Sequence, residues 1–211
     1  MLFTAIMLCI FAVVGTGMVA YTFDKTKEQI AINEREALLR SLHAIVPPAL
    51  HDNDLPSDTI TVISKELLGT DKPVTVYRAR QDGRPVAAIL TPIAPDGYSG
   101  AIKLLVAISY QGDIFGVRVI SHRETPGLGD AIDSEKSDWV DDFRGHSLTN
   151  PDELGWHVKR DGGEFDQFTG ATITPRAVVK AVYNSLQYFE THRDELFINS
   201  NDTSGAHHDS S

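Results

Sequence analysis

The residue best placed to do chemistry in this 211-residue chain is a threonine beside a helix start. It lies in Asp161–Lys180, which reads DGGEFDQFTGATITPRAVVK. Two glycines follow Asp161, and Asp166 leads through Gln167 and Phe168 into Thr169-Gly170-Ala171-Thr172. Thr174 and Pro175 then precede an apolar-periodic run to about His192. Thr174 suits a helix N-cap and Pro175 suits the first helical position, so the Thr174 hydroxyl has a structural use. Thr172 has no such assignment, and Gly170 and Ala171 leave room around it. A phosphate carried on Thr172 would lie near the positive end of the helix dipole and near unpaired N–H groups. On residues alone, a turn with a well-chosen cap remains the plainer reading, because most such turns carry no ligand.

Several elements must position that turn. Ala177, Val178, Ala181, Val182, Leu186 and Phe189 form one apolar stripe, which predicts a helix packed on a core. Val74–Arg80 and Pro85–Thr91 flank Gln81-Asp82-Gly83-Arg84, a strong hairpin signal. Ile102–Tyr110 and Ile114–Ser121 flank Gln111-Gly112-Asp113 in the same way. Four short strands with tight turns imply a largely antiparallel sheet. Ser57–Leu68 reads as a short helix with Ile60, Ile63 and Leu67 on one face, stopped by Gly69. Ser137–Phe143 reads as another short helix and Trp156–Lys159 as a short strand. Pro95–Gly100 is a loop. Glu124-Thr125-Pro126-Gly127-Leu128-Gly129 reads as a Pro-Gly turn with a second glycine at positive φ. It is not a phosphate loop of the nucleotide-hydrolase type, because no Gly-Lys-Ser/Thr follows.

The N-terminus is different in kind. Residues 1–23 are nearly all apolar and contain no Asp, Glu, Lys, Arg or His, which suits a membrane-spanning helix of about 20 residues. The basic start of a signal peptide is missing, so the expectation is an uncleaved anchor, with a cleaved signal as the alternative. Lys25 and Lys27 follow the span, and this charge pattern alone leaves its orientation open. Ala12, Thr16 and Ala20 share one face, which suits packing on another membrane helix as readily as it suits chance. The span carries no carboxylate, so ion movement would belong to partner subunits. Asp24–Val46 continues as a helix, with Leu38, Leu42, Ile45 and Val46 in helical register, and Pro47-Pro48 ends it.

The net charge is −10 with no basic cluster, which argues against nucleic acid as a partner. The single cysteine, Cys9, excludes an intrachain disulfide and a cysteine metal cluster. No domain-scale repeat, zinc-ligand spacing or Gly-x-Ser-x-Gly elbow is present. The scattered carboxylates read as a solvated surface. The tail beyond Phe197 is polar and reads as disordered, and His207 and His208 within it are a poor metal site.

Asp166-Gln167-Phe168-Thr169-Gly170-Ala171-Thr172 resembles the Asp-x-x-Ser/Thr-Gly-Ala-Thr signature of covalently flavinylated proteins. The wider chain resembles the RnfG (RsxG) family, the G subunits of Rnf electron-transport complexes. The resemblance also rests on Pro95–Ile102 (PDGYSGAI), Glu124–Asp130 (ETPGLGD) and Asp161–Arg176, and extends from the apolar N-terminus to the last helix. The C subunit of the sodium-pumping NADH:quinone reductase shares the flavin domain and is the nearest confusable relative.

The resemblance implies an α+β protein: one transmembrane helix, then a periplasmic FMN-binding domain with a mainly antiparallel sheet and flanking helices. Its divisions would be an anchor at 1–23, a helical stalk at 24–46, the FMN domain at 47–197 and a tail at 198–211. A flavin transferase would join the phosphate of FMN to Thr172, with Thr169, Gly170, Ala171 and Asp166 as the surrounding motif. The chain would sit in the bacterial inner membrane as a redox subunit without independent catalytic activity. Other membrane and redox subunits would be its partners, in a complex that couples NADH/ferredoxin electron flow to Na⁺ or H⁺ movement. Tyr98 and Glu124–Gly129 become candidates to approach the flavin, and Phe168 to stack on it. The competing expectation is a cofactor-free assembly subunit of such a complex; a soluble flavoprotein released by signal cleavage is a third.

Overall fold

The computed structural model describes residues 2–198. The expected disordered tail, with His207 and His208, lies outside the described residues except for Ile198. The chain divides into two compact units, one ending at Arg40 and the other starting at Ser41.

In the first unit, helix α1 (Leu2–Ile45) begins with a span, Leu2–Lys27, that is long and apolar enough to cross a membrane. At 1.5 Å per residue these 26 residues extend about 39 Å, more than a hydrocarbon core of about 30 Å. Its Leu2, Phe3, Leu8, Phe11, Val13, Val19 and Phe23 are all exposed. Apolar side chains displayed around a whole helix suit a lipid surround better than water. The C-terminal end of that span carries its first charges, among them the Lys27–Asp24 pair at 2.6 Å.

The second unit is mixed α+β. Its strands are β1 (Thr59–Ser64), β2 (Thr70–Gln81), β3 (Arg84–Leu90), β4 (Ile93–Ala94), β5 (Ile102–Ser109) and β6 (Ile114–Ser121). The described residues form one six-stranded antiparallel sheet in the order β1-β2-β3-β5, with β4 and β6 also pairing to β5. Both hairpins appear where Asp82-Gly83 and Gly112 demand them. The predicted helix over Ser57–Leu68 is instead strand β1 followed by the four-residue helix α2 (Lys65–Leu68). Thr59-Ile60-Thr61-Val62-Ile63 is β-branched throughout, and pairing with β2 outweighs the apparent helical spacing. Gly69 does end α2, in a left-handed conformation. Trp156–Lys159 makes no strand: only Val158 bridges, to Phe165. Ser137–Phe143 shortens to a 3-10 turn over Trp139–Phe143.

Successive side chains of β5 serve opposite faces. Leu104, Val106 and Ile108 join the main core, into which helix α3 (Ile173–Phe197) buries Ala177, Val178, Ala181, Val182, Leu186 and Phe189. Leu105 and Ala107 point the other way. Gly116, the partner of Ala107, lets Ile45 approach on that face: an added Cβ would sit 3.0 Å from an Ile45 methyl. Leu42, Ile45 and Val46 are fully buried, so the C-terminal end of α1 is part of this unit's core.

Helix α3 runs to Phe197, past the predicted end near His192, and its C-terminal end is held by buried cations. Arg78 Nη1 donates to the Ile198 carbonyl at 3.1 Å and Arg80 Nη2 to that of Phe197 at 3.0 Å. Both arginines also pair with Asp58, at 2.5 Å and 3.0 Å. Positive charge at a helix C-terminus is favourable, and Asp58 neutralises charge that would otherwise be buried in excess. Asp58→Ala should therefore destabilise the domain by about 3 kcal/mol; a urea-denaturation midpoint unchanged from wild type would refute that role.

Candidate functional site

Three turns and one helix end build the site. In the first turn the Leu128 N–H donates to the Thr125 carbonyl at 3.1 Å, with Pro126 and Gly127 between them and Gly127 at φ 77°. In the second the Ala171 N–H donates to the Phe168 carbonyl at 3.1 Å, with Gly170 at φ 80°. Positive φ at the third residue of each is the type II pattern, which glycine adopts without strain. The third turn is Gly97–Gly100, closed by an N–H···O contact of 3.4 Å. The first two turns lie against each other: a Cβ on Gly170 would be 3.6 Å from Leu128 Cδ2.

Helix α3 starts between these turns. Thr172 occupies the N-cap position and makes no side-chain capping bond. Its carbonyl accepts from the Arg176 N–H at 3.4 Å. Thr174, expected as the cap, lies inside the first turn and is fully buried. Its hydroxyl donates to Glu124 Oε2 instead of accepting a first-turn N–H. Pro175 falls further into the helix than expected, still within its first turn. It is tolerated there because the first N–H groups of a helix lack intrahelical acceptors in any case. The two threonines keep the distinction drawn from sequence, on different grounds: Thr174 is occupied by a buried carboxylate, and the Thr172 hydroxyl is left uncommitted.

Glu124 is the polar centre of the site. It is 4% exposed, contrary to the expectation that the carboxylates are solvated. Oε1 accepts the Ser99 N–H at 3.0 Å from the third turn, and Oε2 accepts the Thr174 hydroxyl from α3. Its own N–H donates to His122 Nδ1 at 3.1 Å. One carboxylate thus ties three segments together. Gly129 passes so close that a Cβ would lie 2.7 Å from Glu124 Oε2 and 2.8 Å from Thr174 Oγ1. The second glycine of the loop is therefore needed for close packing, not for positive φ.

These parts enclose a cavity of about 350 Å³ lined by Tyr98, Glu124, Thr125, Leu128, Gly129 and the run Gly170–Thr174. Tyr98, Leu128 and Ile173 leave apolar surface exposed at its edge. Of the sequence-predicted site residues, Gly170, Ala171 and Thr172 line it, as do Tyr98, Glu124, Thr125, Leu128 and Gly129 of the segments expected to approach a flavin. Thr169 is exposed and outside the lining, and so is Asp166. Asp166 pairs with Lys159 Nζ at 2.7 Å, and its carbonyl accepts from Trp139 Nε1 at 2.8 Å. Phe168 does not line the cavity either: its ring meets Trp139 edge-on at 5.2 Å, in the aromatic core. The motif residues before Gly170 thus fasten the turn, and those after it form the wall. Ile173, which completes the apolar rim beside Leu128, is not among the expected site residues, and no local sequence pattern marks it. Among the described residues no cluster of three potential metal ligands occurs.

Asp161 braces the helix start from the side. Its carboxylate takes a two-point contact from Arg176, at 2.5 Å from Nε and 2.6 Å from Nη2. That hydrogen bond holds the Asp161 carboxyl below its ordinary value of 3.8, and Arg176 is raised in turn. Trp156, Val179 and Tyr183 line a second cavity, of about 290 Å³, beside this pair.

The FMN-binding domain family matches residues 97–187, a range that contains all three turns and most of α3. The RnfG N-terminal region matches residues 1–45. The chain is 49% identical over 191 residues to the G subunit of the ion-translocating oxidoreductase complex of Shewanella baltica, covering 90% of each. It is 50% identical to the corresponding protein of Pseudomonas aeruginosa, covering 93% of this chain and 92% of that one. It is 48% identical to that of Vibrio cholerae, covering 90% and 91%.

Two outcomes test the geometry. Gly129→Ala should push Glu124 and Thr174 apart and destabilise the domain by about 1–3 kcal/mol, as overpacking does; a thermal midpoint equal to wild type would contradict the contact. The folded-state pKa of Asp161 is depressed, so its contribution is present above the unfolded value and lost as pH falls through the folded one. The thermal-midpoint advantage of wild type over Asp161→Asn, small for so exposed a pair, should be constant near neutrality and vanish below the ordinary carboxylate range.

Proposed function

This chain belongs to the RnfG family, the G subunits of ion-translocating oxidoreductase complexes, and from that premise we propose that it is the flavin-carrying electron-transfer subunit of such a complex, with the phosphate of FMN esterified to Thr172. One observation carries the attachment point. At the start of α3, Thr174 is buried and bonded to Glu124, whereas Thr172 makes no capping bond and borders the cavity.

The residues present suit FMN. A cavity of about 350 Å³ lies within the range of cofactor pockets, roughly 300–1,000 Å³. The helix end offers N–H groups and a positive dipole end to a phosphate diester on Thr172 Oγ1. Leu128, Ile173 and Tyr98 offer apolar and aromatic surface to a flat ring. FMN would supply the redox chemistry, accepting and passing on electrons. The protein's own part is to anchor and orient. Glu124 fixes α3 against two turns, and Asp161 and Arg176 hold its first turn from outside. Both Thr169 and Gly170 are exposed, which leaves the loop open to a flavin transferase. In that reaction the Thr172 hydroxyl gives up its proton and forms the bond to phosphorus as the leaving group of an activated flavin donor departs.

Helix α1 anchors the chain in the inner membrane, and the domain from Ser41 onward lies on the periplasmic side. Electrons reach and leave it through other redox subunits of the complex, which couples NADH/ferredoxin electron flow to the movement of Na⁺ or H⁺. Ions cross through partner subunits, since Leu2–Phe23 carries no charged group. The chain has no catalytic activity by itself under this reading.

The test is made on protein purified from a host that also produces the transferase. Wild type should give an intact mass increased by one FMN less one water, and a band that fluoresces under ultraviolet light after full denaturation. Thr172→Ala should show neither while keeping its stability within about 1 kcal/mol of wild type, as expected at a partly exposed site. A dark wild-type protein, or a flavin retained by Thr172→Ala, would overturn the assignment.

A further inference from the structure

Glu124 is more than a tie between segments. A buried carboxylate normally pairs with a cation, because removing charge from water is expensive. Among the described residues no ion pair includes Glu124. Both of its oxygens act as acceptors, as a carboxylate's do, one from Ser99 N–H and one from the Thr174 hydroxyl. The remaining compensation is the N-terminal end of α3, on which Thr174 lies. The same side chain lines the cavity that Thr172 borders. A buried carboxylate with no cationic partner among the described residues therefore lies at the wall of the cavity that Thr172 borders.

We propose that Glu124 sets the reduction potential of the flavin: its carboxylate in the cavity wall opposes reduction of a ring tethered at Thr172. This rests on the assignment of FMN to Thr172. A flavin ring that takes up two electrons and one proton gains one unit of negative charge. A second negative charge behind a low-dielectric wall disfavours that state more than the neutral oxidised one. The potential falls, and electrons pass on more readily to the next carrier. Glu124 acts here as a positioning and tuning residue. It exchanges no proton or electron with the ring.

Glu124→Gln separates charge from shape. Its amide oxygen can still accept the Ser99 N–H, and its amide group can still donate to the Thr174 hydroxyl. Thr174→Val makes the complementary change, removing that hydrogen bond and keeping the charge. Full-length wild type and both variants are prepared alongside the transferase. Flavin loading is read by intact mass, and the midpoint potential by spectroelectrochemical titration. In loaded Glu124→Gln the reduced flavin should be favoured about tenfold, an upward shift of about 30 mV for a two-electron couple. Thr174→Val should remain at or below the wild-type potential, and Glu124→Asp should stay closer to wild type than Glu124→Gln does. A loaded Glu124→Gln with the wild-type potential would overturn the proposal. So would a Thr174→Val potential raised as far as that of Glu124→Gln, since loosened packing would then explain both. If Glu124→Gln does not load, Thr174→Val decides: a potential at or below wild type supports the proposal, and a raised one overturns it. Wild type without flavin at Thr172 by mass would overturn the attachment instead, and with it this proposal.

Discussion

The hydrogen bond between Thr174 and Glu124 is the constraint on which the rest of the site depends. It is made in the first turn of α3, at a fully buried hydroxyl, by a carboxylate that also holds the backbone of the Gly97–Gly100 turn. Breaking one partner would leave the other buried and unsatisfied, a penalty of about 1–3 kcal/mol that enforces the geometry more strongly than the bond itself. Gly129 follows from the same constraint, because no side chain fits beside the pair. The position of Thr172 follows as well. With Thr174 turned into the core, the residue two places earlier falls at the helix end, where its side chain is partly exposed at the cavity edge.

The opposite end of α3 is held by charge of the other sign. A carboxylate lies at the N-terminal end and two arginines at the C-terminal carbonyls, so both ends are complemented in the sense that the helix dipole favours. Between them the apolar stripe is buried against the even-numbered side chains of β5. The helix is fixed along its whole length, and a group attached at Thr172 is carried by a rigid element. The three turns contribute the wall and little of the support. Rigidity at the attachment point suits an electron carrier, since its ring must be presented to partners at a reproducible place and no lid has to open for substrate.

Much of this was legible in the sequence where the signal was local. The apolar span, the two hairpins and the α3 stripe are set by composition and spacing within a few residues, and each appears in the structure. Ser57–Leu68 misled because Ile60, Ile63 and Leu67 mimic a helical face, while the β-branched run and its distant partner β2 decide for a strand. The cap at α3 misled for a related reason. Thr-Pro is a good local start signal, but Glu124, 50 residues earlier, claims the Thr174 hydroxyl and moves the start of the helix. The burial of Glu124 was not legible at all, because nothing near it in sequence predicts a tertiary partner. The motif around Thr172 was legible as a resemblance; its division into fastening residues (Asp166, Phe168) and wall residues (Gly170, Ala171, Thr172) required the fold.

The shape of the cavity bears on why a covalent link would be used here. Tyr98 is 68% exposed, Leu128 44% and Ile173 47%, so the rim is open and part of any bound ring would remain in water. An open site buries too little apolar surface to retain a small ligand firmly by contact alone, since affinity from burial scales with the area removed from water. A tether removes that requirement. It replaces binding from solution by an intramolecular equilibrium at a high effective concentration. The ring can then lie in a shallow site with one edge accessible, as electron exchange with neighbouring subunits requires. The same openness would give a transferase access to the Thr172 hydroxyl, whereas Thr174, two residues away with the same side chain, is shielded by Glu124. Under the proposed attachment, selectivity and exposure of the carrier would both follow from one arrangement: a buried carboxylate that takes one hydroxyl into the core and leaves the other at the surface.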